Sequence, residues 1–242
     1  MSLVFLRAKW LNLIMVNYEI DPAILKPHIP AYTELDTYNG VHYVSLVGFL
    51  FKDTKLKGIP VPFHRTFEEI NLRFYVRQKE NNKWKRGVVF LKEIVSLPAI
   101  TLMANLIYKE NYETHKTRHL WNLKNDEWQV EYHWKLKNEW NFLKVAAEAS
   151  SHPIEEGTEQ EFIAIQNWGY TRIKNNQTSV YQVHHPNWLM HPVRHYQVKC
   201  DIEKMYGQTF VEPLRQPPRS VFLAEGSDVS VMHKIVLNSS FI

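Results

Sequence analysis

The sequence predicts an α+β chain that is mostly antiparallel β, with a few peripheral helices. Three observations carry that expectation. First, Ile70, Leu72, Phe74 and Val76 alternate with Glu69, Asn71, Arg73 and Tyr75, and Trp128 to Leu136 alternates in the same way. Successive side chains of a strand point to opposite faces, so a period of two reads as strand. Second, short polar turns join neighbouring apolar runs, as antiparallel neighbours allow. Third, Gly is scarce, at 8 of 242 residues, which argues against a glycine-rich phosphate-binding fold. This pattern fits either a barrel or a pair of packed sheets. No linker, repeat or low-complexity segment interrupts it, so residues 1–242 are expected to form a single domain.

The elements follow in order. Trp10 to Ile20 is an apolar, β-branched strand. Asp21 offers an N-cap and Pro22 an N1 residue for a short helix that stops before Pro30. Asn39-Gly40 signals a turn into a strand over His42 to Phe51. Glu68 to Arg77 and Arg86 to Val95 read as two strands joined by a polar tip, KENNKWK. Pro98 opens a helix through Glu110 with an apolar stripe of Ile100, Met103, Ala104 and Ile107. Glu127 to Leu136 and Glu139 to Ala147 form a hairpin about Lys137-Asn138. Thr158 and Glu161 make a capping box for a helix through Gln166. Tyr170 to Ile173 and Thr178 to Val183 flank a KNNQ turn, and Asp201 to Tyr206 is a helical turn ended by Gly207. Ser220 to Ala224 and Val229 to Leu237 return to strand.

Composition narrows the function classes. A net charge of +4 with interspersed signs gives little reason to expect a nucleic-acid partner. The basic run Lys79 to Arg86 reads as a solvated hairpin tip. A single cysteine, Cys200, precludes a disulfide within the chain and fits a reducing compartment. Arg7 and Lys9 interrupt the apolar N-terminal stretch, so no secretory signal is expected there. No apolar run approaches the roughly 20 residues of a membrane helix. A cytoplasmic protein with no membrane partner is therefore expected, and a homo-oligomer is left open.

Several residue types could carry chemistry. On one strand face, residues two apart lie about 6.7 Å apart and residues four apart about 13 Å. Asn71 can thus reach both Glu69 and Arg73, while those two cannot easily pair with each other. From periodicity alone, water is the default neighbour of this polar row. The cluster His184-His185-Pro186-Asn187-Trp188 is the densest in imidazole, with His191 and His195 close behind. Pro186 and Pro192 break any helix, and no metal-ligand spacing is present, so no metal is expected and a structural turn with a histidine on Trp188 is. A nucleophilic serine lacks its elbow motif. Cys200 reads as a structural thiol. Lys92, in VVFLKEIV, is the best Schiff-base lysine by composition, but its simpler reading is an exposed residue on the strand's polar face. No cofactor is implied.

Taken together, DPAILKPHIP with ELDTYNG, YVSLVGF, FEEINLRFYV, RGVVFLKEI, ANLIYKENY, NWGYTR and HHPNW, in this order, resemble the YqjF-like bacterial conserved proteins, a domain-of-unknown-function family. That family is similar in fold to acetoacetate decarboxylase, a β-barrel or cone around a small cavity. The resemblance implies that Glu69 matches a pocket glutamate. It also implies that Tyr112 falls where the decarboxylase carries its Schiff-base lysine, so Schiff-base chemistry is not expected here. On that reading Glu69, Asn71 and Arg73 face the cavity, and Tyr112, His184 and His185 are the next candidates for its wall. Arg73 would hold a carboxylate, and Glu69 would act as general acid or base, with Tyr112 beside it. Three functions stay open: an enzyme acting on a small organic acid, a non-catalytic ligand-binding or sensing module, and a structural protein whose polar row is plain surface.

Overall fold

The computed structural model describes residues 4–60 and 62–238. Met1 to Leu3, the start of the stretch read for a secretory signal, and both ends of the expected 1–242 domain lie outside these residues. The long strands are β1 (Val4–Glu19), β2 (Tyr43–Leu56), β3 (Phe67–Glu80), β4 (Lys83–Val95), β5 (Thr117–Lys124) and β6 (Glu127–Leu136). They continue with β7 (Glu139–Glu148), β8 (Trp168–Lys174), β9 (Gln177–His184), β10 (Val193–Lys199) and β11 (Ser220–Met232). The helices are α1 (Pro22–Leu25), α2 (Pro98–Ile107), α3 (Glu159–Ala164), α4 (Ile202–Tyr206) and α5 (Val211–Arg215).

Strands β11, β1, β2, β3, β4, β8 and β9 pair in that order, and β9 pairs back to β11, so the sheet closes into a ring. A ring with an odd number of strands cannot have every neighbour antiparallel. Here the parallel seam lies between β4 and β8, where Gly169 partners Val88. A Cβ on Gly87 would lie 2.2 Å from the Trp168 carbonyl oxygen, so only glycine lets the two backbones meet at this seam. A second sheet, ordered β10, β7, β6, β5, lies against one side of the ring. The architecture thus combines a ring-like sheet with a packed second sheet.

Two cores result. One lies between the sheets, where Ile14, Leu46, Leu72 and Phe74 meet Val130, Tyr132, Trp134 and Leu143. The other lies inside the ring, around Leu13, Met15, Val47, Phe49, Tyr75 and Phe162. Both faces of β3 are therefore buried, and the expectation that its polar row faces water is wrong.

Local details follow from residue chemistry. The Asp21 carboxylate accepts from the Ala23 amide at 2.8 Å and caps α1. The β3–β4 turn is tighter than the polar tip suggests: it is Asn81-Asn82, with φ of 46° and 60°. Asn tolerates positive φ, which a two-residue hairpin demands at both positions. Helix α2 ends at Ile107, short of the expected Glu110, and Lys109 turns the chain with φ 61°. Helix α3 ends at Ala164, and the Glu161 carboxylate accepts from Gly157, one residue before the Thr158 cap. The expected C-terminal strands are divided elsewhere: Ser220 to Met232 is one strand, since Gly226 continues the ladder opposite Leu11 with φ 87°, and Ile235–Leu237 is a separate short strand paired with β9. Edge strand β5 was not foreseen, because its exposed positions dilute any apolar alternation. No helix among the described residues is long and apolar enough to cross a membrane.

Candidate functional site

A cavity of about 120 Å³ lies inside the ring, and every ring strand contributes to its wall. Most of the wall is apolar: Trp10, Phe49, Phe51, Phe67 and Phe90, with Ile100 and Met103 of α2. The polar residues are Glu69, Asn71, Arg73, Glu93, Glu110, Tyr112, Gln166, Tyr181 and His185. Glu69, Asn71 and Arg73 are 3%, 2% and 7% exposed. Their common face is what the strand period dictates, and Tyr75 continues the row into the ring core.

Glu69 is the hub. Asn71 Nδ2 donates to its Oε1 at 3.0 Å, and the Tyr112 hydroxyl donates to its Oε2 at 2.9 Å. Burial pushes the Glu69 carboxyl up to about 7, against the opposing effect of these bonds and of the Arg73 charge. Tyr112 sits on a short strand, Tyr112–Thr114, that runs parallel to β4 with Glu93 as its partner. Asn105 of α2 holds its backbone from both sides: Nδ2 donates to the Tyr112 carbonyl at 3.0 Å, and Oδ1 accepts from the Tyr112 amide at 2.8 Å. Desolvation, then the neighbouring Glu69 and Glu93, keeps the Tyr112 phenol protonated and a donor.

Two further carboxyls share the cavity. Glu93 lies across from Asn71 in the β3–β4 ladder. Burial, then Glu110 and Glu69, raises it well above the usual carboxylate range. Glu110 accepts from Thr171 Oγ1 at 2.7 Å, and burial pushes it up to about 7. Neither was singled out from the sequence. The reason for Glu93 is a bulge: the register slips between Leu72 and Arg73, so that Phe90 and Glu93, three apart, both reach the interior. Strict alternation would put them on opposite faces.

Among the described residues, Arg73 is the one arginine or lysine on the cavity wall. Its Nη2 donates to the Ile163 carbonyl at 3.0 Å, and Nε has no partner. Among the described residues no carboxylate stands within ion-pair distance of it.

The histidine pair is divided by the structure. His185 lines the cavity and stacks on Trp188, 4.3 Å between centroids and 16° between planes. Burial, with Arg73 adding to it, lowers its pKa. His184 is exposed and lies off the cavity wall. Lys92 is half-buried, not exposed as expected, and pairs with Glu113 at 2.7 Å away from the cavity. No lysine lines the cavity among the described residues. Burial pushes the Cys200 thiol up to about 12, which leaves it unreactive. Among the described residues, no three His, Cys, Asp or Glu side chains are grouped to hold a metal ion.

A model of the DUF2071 family, described as uncharacterized conserved protein, matches residues 7–228. The uncharacterized protein YqjF of Bacillus subtilis (strain 168) is 27% identical over 191 residues, covering 76% of this chain and 74% of YqjF. Among solved structures, acetoacetate decarboxylase from Legionella pneumophila superposes with a TM-score of 0.66 at 12% identity, over 98% of this chain and 90% of that one. An acetoacetate decarboxylase-like enzyme from Sphingomonas wittichii RW1 gives 0.66 at 10% identity, over 98% and 96%. The enduracididine biosynthesis enzyme MppR, complexed with pyruvate, gives 0.66 at 9% identity, over 99% and 93%. These likenesses establish the fold. The chain belongs to the DUF2071 family.

Proposed function

We propose that this member of the DUF2071 family binds a small organic acid inside the ring and performs acid–base chemistry on it at Glu69, without a Schiff base. The observation that carries this reading is Arg73: a buried guanidinium with no carboxylate partner. A buried charge without a counter-ion is costly, and a ligand carboxylate supplies one. Glu69 stands four residues along the same strand, about 13 Å away at the backbone, and its carboxyl feels the Arg73 charge, so the two long side chains close most of that gap around a small ligand.

Glu69 is suited to proton transfer. Burial brings its pKa to about 7, where a carboxyl both gives and takes a proton at neutral pH. Tyr112 is a positioning donor, since its hydroxyl holds one Glu69 oxygen and Asn71 holds the other. A phenol in place of an amine cannot form an imine, and none of the described lysines faces the cavity. The pyruvate named with MppR fixes the size of the first probe.

The test is a thermal-shift titration with pyruvate and short monocarboxylates. The native chain is expected to gain melting temperature with ligand concentration, and Arg73→Gln to lose that gain. A gain unchanged in Arg73→Gln would overturn the reading. Borohydride trapping with a keto acid is expected to label no lysine. Turnover is then sought for each hit. Binding that survives Glu69→Gln, with no product ever detected, would make the protein a binding module.

A further inference from the structure

Five cavity side chains leave a polar atom without a partner: Asn71 Oδ1, Glu93 Oε2, Gln166 Oε1, Arg73 Nε and Trp10 Nε1. All but the half-buried Trp10 are more than nine-tenths buried. The amide orientations are set by their bonded ends. Asn71 Nδ2 is committed to Glu69 and Gln166 Nε2 to the Phe162 carbonyl, so in each case the oxygen is the atom left over. Buried polar atoms are normally paired, and five unpaired ones on a single wall need a reason.

Their chemistry is lopsided: three oxygens against two N–H donors, and Glu93, whose proton burial retains, becomes a full acceptor beside an ammonium. A plain carboxylate offers acceptors alone, and the keto group beside it offers another. Such a ligand satisfies Arg73 and leaves three oxygens orphaned. A primary ammonium offers three donors. Charge gives the same answer. Glu69, Glu93 and Glu110 crowd one wall with a single guanidinium, and an ammonium among them favours their charged forms, which a simple anion does not.

We propose that the ligand of this cavity is a small amino acid, whose carboxylate meets Arg73 and whose ammonium meets the acceptor set of Asn71, Glu93 and Gln166. This deepens the organic-acid reading and rests on it. Size limits the class further. The cavity is about 120 Å³, and an apolar cavity of roughly 150 Å³ holds benzene. By that proportion the ligand has about five or six non-hydrogen atoms, the size of glycine or alanine.

The test compares matched pairs by calorimetry on the full chain: glycine with acetate, β-alanine with propionate, alanine with pyruvate. At least one amino acid is expected to bind 10-fold or more tightly than its partner without the amine. Glu93→Gln is expected to erase that preference while keeping affinity for the plain acid. Gln166→Met serves as a second variant at the acceptor set, and is expected to reduce the preference about threefold. Plain acids that bind as tightly as their amino partners, with that binding lost in Arg73→Gln, would overturn the amino-acid proposal and leave the organic-acid reading standing. Arg73-independent binding, or none, in both series would overturn both.

Discussion

The two faces of β3 are equally dry and do opposite things. Ile70, Leu72, Phe74 and Val76 have no solvent exposure and close against the second sheet. Glu69, Asn71 and Arg73 are nearly as buried, yet they point into the ring, and Asn71 and Arg73 leave hydrogen-bonding atoms unmatched. Burying apolar area stabilises the fold by roughly 25 cal/mol per Å². Burying an unmatched polar atom costs about 1–3 kcal/mol. One face therefore supports the fold, and the other is tolerated by it. Tyr75, next along the polar row, sharpens the contrast: its hydroxyl is paired with Ser45 Oγ at 2.6 Å, and Ser45 in turn donates to Asn17 at 2.7 Å. Along this row, polar burial is satisfied at Tyr75, where the ring is filled, and unsatisfied at Asn71 and Arg73, where it is hollow.

Substitutions on either face can break this contrast. The largest effect is expected from Phe74→Ala, which opens a hole between the sheets. A loss of about 3–5 kcal/mol in urea denaturation is anticipated. A loss below about 1 kcal/mol would mean that the intersheet core is not what the apolar row serves.

Arg73→Met comes next and should act in reverse. Removal of a buried cation with no counter-ion leaves unliganded stability unchanged or raised. Ligand affinity, by contrast, drops by about 1.5–3 kcal/mol, the worth of charged hydrogen bonds. A stability loss matching that of Phe74→Ala would show Arg73 to be structural and erase the distinction between the faces.

The smallest effect is a slope. The folded Glu69 carboxyl titrates near 7, and a glutamate in the unfolded chain near 4.5. Between those values the folded state holds a proton that the unfolded state has released. Stability from this group is thus fully present below pH 4.5 and falls as pH rises toward 7. The slope is at most about 1.4 kcal/mol per pH unit for each such proton. Denaturation of the native chain from pH 5 to 7 should show the decline, and Glu69→Gln should flatten it. An equal slope in that variant would remove Glu69 from the set of titrating groups.

Much of this was legible in the sequence. Period two marked β3 and β6, and Asp21, Thr158, Gly207 and the Asn pairs marked caps and turns. The YqjF-like resemblance gave the acetoacetate decarboxylase-like fold. Glu93 was not legible, because a bulge reassigns its face and no alternation survives a bulge. Glu110 was not, because it follows α2 in irregular chain and meets Thr171 from a distant strand. His184 and His185 were equivalent in sequence, and only the turn that stacks one of them on Trp188 separates them.

The hairpin of β8 and β9 is a stave with little backbone ladder to its neighbours. It supplies Trp168, Gly169, Tyr181 and Val183 to the cavity wall. One long edge meets β4 at a single register position, and the other meets β11 at Val183 and His184. Ile235–Leu237 pins it near its turn, at Thr178 to Val180. Segments with few bridging hydrogen bonds open at lower free energy than the whole fold. Side chains close what the ladder leaves open: Tyr170 donates to the Lys85 carbonyl at 3.0 Å and Thr171 to Glu110 at 2.7 Å, so this part of the cavity wall is held by side-chain bonds more than by backbone pairing.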